Sequence, residues 1–356
     1  MTEREAIALD AAAVPPEAAL AKPLRLGLDR RRLLIGLAVA AGVAAPLVVQ
    51  NFTIFQLTMV MIYGLAILGL NLLTGFNGQF SLGHSAFYGI GAYTAAILMS
   101  GSAHLAYYWT LPCAGLVCFV VGIALGLPAL RLQGLYLALA TFALAVALPQ
   151  LLKSHFLEDL TGGVQGIVID KPDPPFGLPI DADQWLYYFT LAVLLVMFAA
   201  AASLVKSRSG RAIMAIRDHP IAAAAMGINI ARYKTLTFGV SALYTGIAGA
   251  LGAIVVQFVA PDSFNFLLSV NFLVGLIVGG IGSIPGSLFG GVFVLFIPNL
   301  AEKVSTGLSG AVYGVILLLL IFLMPLGAAG FVRSAAAWLA RLGRASTRQS
   351  TGKKTS

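Results

Sequence analysis

The densest group of residues able to do chemistry is LTGFNGQFSLGH, Leu73 to His84, between two long apolar runs. It supplies Asn77, Gln79, Ser81 and His84, with glycines at Gly75, Gly78 and Gly83. Neutral amides and hydroxyls both donate and accept hydrogen bonds. Glycines at this density also free backbone N–H and C=O groups from regular structure. Such a set can hold a small neutral or zwitterionic solute weakly. It is poorly equipped for bond cleavage: Ser81 has only His84 nearby, and the chain has no paired carboxylates, no HExxH and no GxSxG with a partner histidine. Cys113 and Cys118 share one apolar run and lack metal-ligand spacing, so they read as buried inert thiols. No catalytic residue, metal site or cofactor is expected.

The elements that must position this stretch follow from composition. Of 356 residues, 59% are hydrophobic and only 10% charged, and the mean hydropathy is +0.92. A soluble domain carries roughly 25% charged residues. The deficit places most of the surface in lipid and predicts an all-α polytopic membrane protein, built from apolar windows of about 20 residues. Ten spans are predicted: 33–49, 54–73, 82–99, 111–129, 134–152, 186–205, 235–258, 265–282, 284–299 and 310–325. Residues 54–152 and 235–325 then form two four-helix blocks entering the membrane from opposite sides, as an inverted repeat would, although no repeat is visible in the sequence.

The net charge of +8 is unevenly spread. Loop 206–234 carries Lys206, Arg208, Arg211, Arg217, Arg232 and Lys234 against Asp218 alone. The segment before the first span is basic, and so is the tail, with Arg333, Arg341, Arg344, Arg348, Lys353 and Lys354. By contrast, 153–185 sets Lys153 and Lys171 against Glu158, Asp159, Asp170, Asp173, Asp181 and Asp183. Basic loops belong in the cytoplasm, which puts both termini inside and 153–185 outside. Basic residues placed between spans argue against nucleic-acid binding. Residues 1–32 form a basic N-terminal segment, 33–332 the membrane domain and 333–356 a basic tail, with 1–21 and 345–356 expected to be disordered.

In lipid every backbone polar group needs a partner. Leu73–His84 is therefore either a tight turn, with Ser81 capping the next helix, or a break inside the bundle that lines a polar path. A second glycine stretch, GGIGSIPGSLFGG (Gly279–Gly291), reads as a turn that lets helices pack closely rather than as a binding loop. A third, LTGGVQGI (Leu160–Ile167), is a glycine turn or an external docking surface. In the loop, RAIMAIR is basic and amphipathic, with Ile213 and Ile216 on one side. Asp218 is placed to cap a short helix that starts at Pro220, runs through IAAAAM and stops at Gly227. The pair either lies on lipid headgroups or docks into a groove on a cytoplasmic protein.

GLNLLTGFNGQFSLGHSAFYGIGAYTAAIL, RLQGLYLALATFAL, LTGGVQGI, the run from Ser207 to Leu251 and the run from Ala260 to Gly291 together resemble the permease subunit of ABC importers for branched-chain amino acids, the M-type of an H/M pair. The resemblance covers about residues 54–332. It implies an H-type permease partner, two cytoplasmic P-loop ATPases and a periplasmic or surface-anchored binding protein, in a multi-pass cytoplasmic membrane complex. It makes Leu73–His84 part of the translocation path and 206–234 the ATPase-coupling loop. Contacts are carried over to Arg211, Arg217, Asp218, Pro220, Ile221, Ala222, Ala223, Ala224 and Gly227. A bulky charge at Ala223 is expected to block ATPase docking. The family often has a glutamate where this chain has Ala224. The chain lacks GxxxxGK[ST], so the motor must be borrowed. Urea or short amides are the alternative substrates. A passive channel or secondary transporter is the alternative class. Proton coupling is disfavoured because no predicted span holds Asp or Glu.

Overall fold

The computed structural model describes residues 28–101, 105–132, 134–175, 180–304, 308–323, 327–328 and 330. The stretches 1–21 and 345–356, and the basic tail 333–356, lie outside them. The chain divides into two compact units, Met1–Ala44 with Ala335–Ser356, and Ala45–Ser334. Of the first, the described part is the start of helix α1 (Leu28–Val48). The second unit carries the rest and is the subject below.

Every predicted span carries a helix. After α1 come α2 (Asn51–Leu70), α3 (His84–Ser100), α4 (Tyr107–Ala129), α5 (Leu135–Leu152) and a single turn α6 (Glu158–Thr161). Then follow α7 (Ala182–Lys206), the loop helices α8 (Arg208–Asp218) and α9 (Pro220–Ala225), α10 (Ile230–Val256), α11 (Phe266–Gly279), α12 (Ile284–Val304) and α13 (Ser309–Leu323). Among the described residues six helices are long and apolar enough to cross a membrane: Asn51–Phe76, Tyr107–Ala129, Leu135–Leu152, Ala182–Lys206, Ile230–Val256 and Ile284–Lys303. Val39–Val48, Phe266–Gly279 and Gly310–Leu320 are shorter apolar helices. At 17 residues α3 is short and rich in Gly, Ala and Tyr. It can be so because most of it is covered by protein rather than lipid.

The two predicted four-helix blocks interleave. From the second block, α10 packs against α3 and α4 of the first, and α12 against α2. Asn229 starts α10, its Oδ1 accepting from the Arg232 N–H at 3.0 Å. Small residues then let backbones approach: a Cβ on Gly91 of α3 would fall on the Gly246 carbonyl of α10. Without a hydrophobic force between helices in lipid, such close packing supplies much of the association energy. α10 and the 26-residue stretch Asn51–Phe76 are the most covered of the long helices, whereas α7 is the most exposed, as a lipid-facing helix requires.

Gly279–Gly291 is the close-packing turn the sequence predicts. α11 ends at Gly279, Gly280 and Gly282 take φ of 113° and 73°, and a Cβ on Gly279 would strike Gly286 of α12. On the acidic side, Leu160–Ile167 turns through Gly162, Gly163 and Gly166, all with positive φ. It leads into β1 (Ile167–Val168), which pairs antiparallel with β2 (Phe258–Val259) just after α10. Lys153 binds Asp262 at 2.5 Å beside it.

Candidate functional site

Between α2 and α3 the helix opens into π-helical turns over Asn71–Phe76, then runs irregularly to Gly83. The wider π turn displaces side chains and carbonyls from the α register, a common arrangement at functional sites. Asn71 heads this segment and is fully buried. Its Nδ2 donates to Ser283 O at 2.9 Å and to Ser287 Oγ at 3.2 Å, and its Oδ1 accepts from the Gly282 N–H at 2.8 Å. One amide thus keys the first glycine stretch to the second. Gly75 lies one turn further on. A Cβ there would fall on Asn71 Oδ1 and lie 2.7 Å from Gly282 N. Asn71 has no place among the sequence-predicted site residues. Its signal is a lone amide in an apolar run, expensive in lipid unless partnered.

Beyond Phe76 the chain turns through Gly78, at φ +74°. The Gln79 N–H donates to Leu73 O at 3.2 Å, and Thr74 Oγ1 donates to Gln79 O at 3.0 Å. Gln79 Nε2 reaches Lys234 O at 3.2 Å, in the first turns of α10. The turn is therefore closed by its own residues and tied to the end of the basic loop. Valine at Gly78 would have to adopt a left-handed φ, costing about 1–2 kcal/mol. Its Cβ would also lie 2.9 Å from Arg217 Cγ, on a side chain whose far end is held by Gly75 O and Asp218. If the chain transports as its resemblance implies, Gly78→Val is expected to show a partial, severalfold loss of uptake with normal membrane insertion, measured in vesicles against protein level.

Ser81 and His84 are turned into the chain. His84 Nε2 lies 2.8 Å from Ser241 Oγ, which donates to Gly69 O at 2.6 Å. A serine hydroxyl has one proton, so the hydrogen between the two residues belongs to His84 Nε2. His84 Nδ1 is then the acceptor for Ser81 Oγ at 3.2 Å. Ser81 Oγ also accepts from the Gly83 N–H at 3.3 Å, rather than capping a later residue of α3. The Leu82 N–H donates to Thr141 Oγ1 at 2.9 Å, and a Cβ on Gly83 would lie 2.8 Å from Thr141 O. These contacts fix the start of α3 against α5 and α10. Asn77 differs. It is 2% exposed, and neither atom of its amide has a partner. A buried amide without partners costs about 1–3 kcal/mol, so Asn77 is the residue of the break with unspent hydrogen-bonding capacity.

The basic loop folds as two helices. Ser207 caps α8 by accepting from the Gly210 N–H at 3.2 Å. Ala212, Ile213 and Ile216 are buried, and Ile213 shares a small cleft with Leu72 and Phe76 of the π segment. The predicted apolar side exists, but it faces the membrane unit rather than headgroups or a partner. Asp218 is not the cap of α9. It is the last residue of α8, and the cap position belongs to His219, which makes no side-chain bond there. Asp218 instead holds Arg217 at 2.9 Å. Pro220 opens α9 as predicted, and Gly227 follows it at φ +80°.

Ala223 is 4% exposed, whereas Ile221 and Met226 are 87% and 83% exposed. Ala222, Ala224, Ala225 and Gly227 are exposed with them. A charge at Ala223 would thus disturb the helix pair from within, and a docking test belongs on Ile221 or Ala224. Arg211 is exposed, its Nη1 on Lys206 O at 3.1 Å. Arg217 is also exposed, at 37% of its side chain, yet its Nη1 donates to Gly75 O at 2.9 Å.

Residues 52–323, from α2 to α13, match the family described as branched-chain amino acid transport system / permease component. The chain belongs to this family. The permease is 35% identical over 279 residues to the high-affinity branched-chain amino acid transport system permease protein LivM of Escherichia coli K12, covering 72% of this chain and 65% of the relative. The Salmonella typhimurium LivM is 34% identical, covering 71% and 64%. The permease protein LivH of E. coli K12 is 27% identical over 75% of this chain and 91% of its own length. The permease thus spans just under two thirds of the LivM relatives' length. No solved structure matches it. Both glycine stretches and the loop helices fall inside the matched range, so the geometry above belongs to the shared part of this multi-pass membrane protein.

Proposed function

We propose that this permease is the M-type membrane subunit of an ATP-driven ABC importer for branched-chain amino acids. It would pair with an H-type permease, two cytoplasmic P-loop ATPases and an external substrate-binding protein. One observation carries the reading: a basic loop folded as a helix pair, exposing a small apolar face, sits directly under a broken helix. That is what a transporter without its own nucleotide site needs, a surface for a motor close to the element that must move. Likeness to both LivM and LivH supports two related permeases in one pore. The charge asymmetry supports the cytoplasmic membrane, with the basic loops and both termini in the cytoplasm and 153–185 outside.

In this reading Gly75, Asn77, Gly78, Gln79, Ser81, Gly83 and His84 form the path element. The glycines and the Ser81–His84 pair shape it, and Asn77, buried in this structure, would offer a passing zwitterion a neutral donor and acceptor once the break opens. Weak contacts suit a path, since a deep site would slow release. The segment Arg211, Arg217, Asp218, Pro220, Ile221, Ala222, Ala223, Ala224 to Gly227 is the coupling element, with Ile221, Ala222 and Ala224 on its outward face.

The test is purification of the tagged permease from native membranes in mild detergent, with mass spectrometry of what comes with it. A second multi-span permease and two P-loop ATPases are expected. The associated binding protein is then titrated with leucine, isoleucine, valine, urea and acetamide. A permease that purifies alone overturns the importer. Preference for urea or acetamide overturns the substrate.

A further inference from the structure

The loop and the broken helix are joined by one long side chain. Arg217 lies in the last turn of α8, and Gly75 lies 142 residues earlier in the π segment. The Gly75 carbonyl takes its hydrogen bond from this guanidinium, while Arg217 Nε and Nη2 both lie 2.9 Å from Asp218 Oδ1. The methylenes of Arg217 lie over Gly78, where a Cβ would crowd Cγ. The segment gripped in this way is itself keyed by Asn71 to Gly282, Ser283 and Ser287 at the start of α12. At the C-terminal end of the loop, Lys234 O accepts from Gln79. The break is therefore attached to the middle and the end of the loop and, through Asn71, to the second glycine stretch.

We propose that Arg217 is a positioning residue that ties the basic helix pair to the π segment, so that displacement of the pair reaches both glycine stretches together. The role is to transmit, not to dock: although 37% of the side chain is exposed, its Nη1 reaches in to Gly75 O, and Asp218 fixes its orientation. The inference rests on the importer reading for its consequence, though not for its geometry. A flexible or absent side chain at 217 would let α8 move without carrying Gly75. A lysine would keep one donor but lose the second arm that Asp218 holds.

The experiment reconstitutes the whole transporter in proteoliposomes and measures leucine taken up per ATP hydrolysed, for the parent, Arg217→Ala and Arg217→Lys. Arg217→Ala is expected to retain its ATPase subunits and lower the ratio about tenfold, the scale of one charge-assisted hydrogen bond; Arg217→Lys is expected to recover part of it. An unchanged ratio overturns the tether, as does loss of the ATPases from Arg217→Ala, which would make Arg217 a docking contact. Should Arg217→Ala not accumulate, a parental ratio for Arg217→Lys overturns it equally. A parent complex without ATPases overturns the importer instead. In that case hydrogen exchange of the purified permease decides: residues 72–83 exchange faster in Arg217→Ala if the tether holds them, and at the parental rate if it does not.

Discussion

Gly75→Val abolishes uptake while the chain still inserts into the membrane at normal level. The site has no room for the added isopropyl group, because Asn71 Oδ1 occupies the place of its Cβ and Gly282 N lies 2.7 Å away. One obstruction is backbone and the other a fully buried amide, so neither yields as a flexible side-chain tip would. Overpacking of this kind costs about 1–3 kcal/mol. Displacing Asn71 strands its amide and the groups at Gly282, Ser283 and Ser287, adding about 1–3 kcal/mol for each uncompensated group. Insertion is spared because valine makes the span more apolar. The control is Gly314→Val in α13, where nothing lies within 4 Å of the added Cβ. Uptake of labelled leucine in vesicles, normalised to permease content, separates the two. Near-normal uptake by Gly75→Val would show that the two glycine stretches need not stay keyed together.

If the permease docks ATPases as proposed, Ile221→Glu is expected to remove them from the purified complex without lowering the yield of folded permease. Ile221 is 87% exposed at the start of α9, so its replacement empties no core and should cost less than about 0.5 kcal/mol of folding stability. An acid in the first turn even suits the helix dipole. The loss falls on the partner side, where an apolar anchor at the centre of a small interface is worth about 2 kcal/mol or more. The desolvated carboxylate adds to that. Co-purifying ATPase is expected to drop at least about tenfold. Ala223→Glu gives a different signature, loss of the helix pair itself, visible as faster proteolysis in the loop. An Ile221→Glu complex with its full share of ATPase would move the docking surface elsewhere.

What the sequence disclosed here divides along physical lines. The helices in the ten predicted segments were legible because lipid imposes a uniform demand on about 20 residues at a time, although among the described residues only six are long and apolar enough to cross a membrane. Pro220 and Gly227 were legible because their backbone restrictions act within a few residues. Asp218 misled because a capping residue is recognisable only where one helix has ended, and α8 continues through it. Which alanine of IAAAAM is buried depends on what lies beneath, and identical side chains carry no phase. Asn71 was passed over because an uncharged residue hardly dents a hydropathy window, although its partners lie more than 200 residues away. The π turns and the Arg217 bond to Gly75 have no local sequence signature. The β1–β2 pair is too short to read from pattern.

That strand pair has a consequence for how the two faces of the membrane communicate. Ile167 and Val168 are laced to Phe258 and Val259, and the Ile169 N–H donates to Gln257 O at 2.9 Å. The acidic loop is in effect a handle on α10. This helix runs 27 residues without a proline, about 40 Å at about 1.5 Å per residue, and its far end holds Gln79 at Lys234. A protein that grips the handle from outside and a motor that pushes from inside would act on the same rod, so neither could shift its own end without the other side registering the stroke.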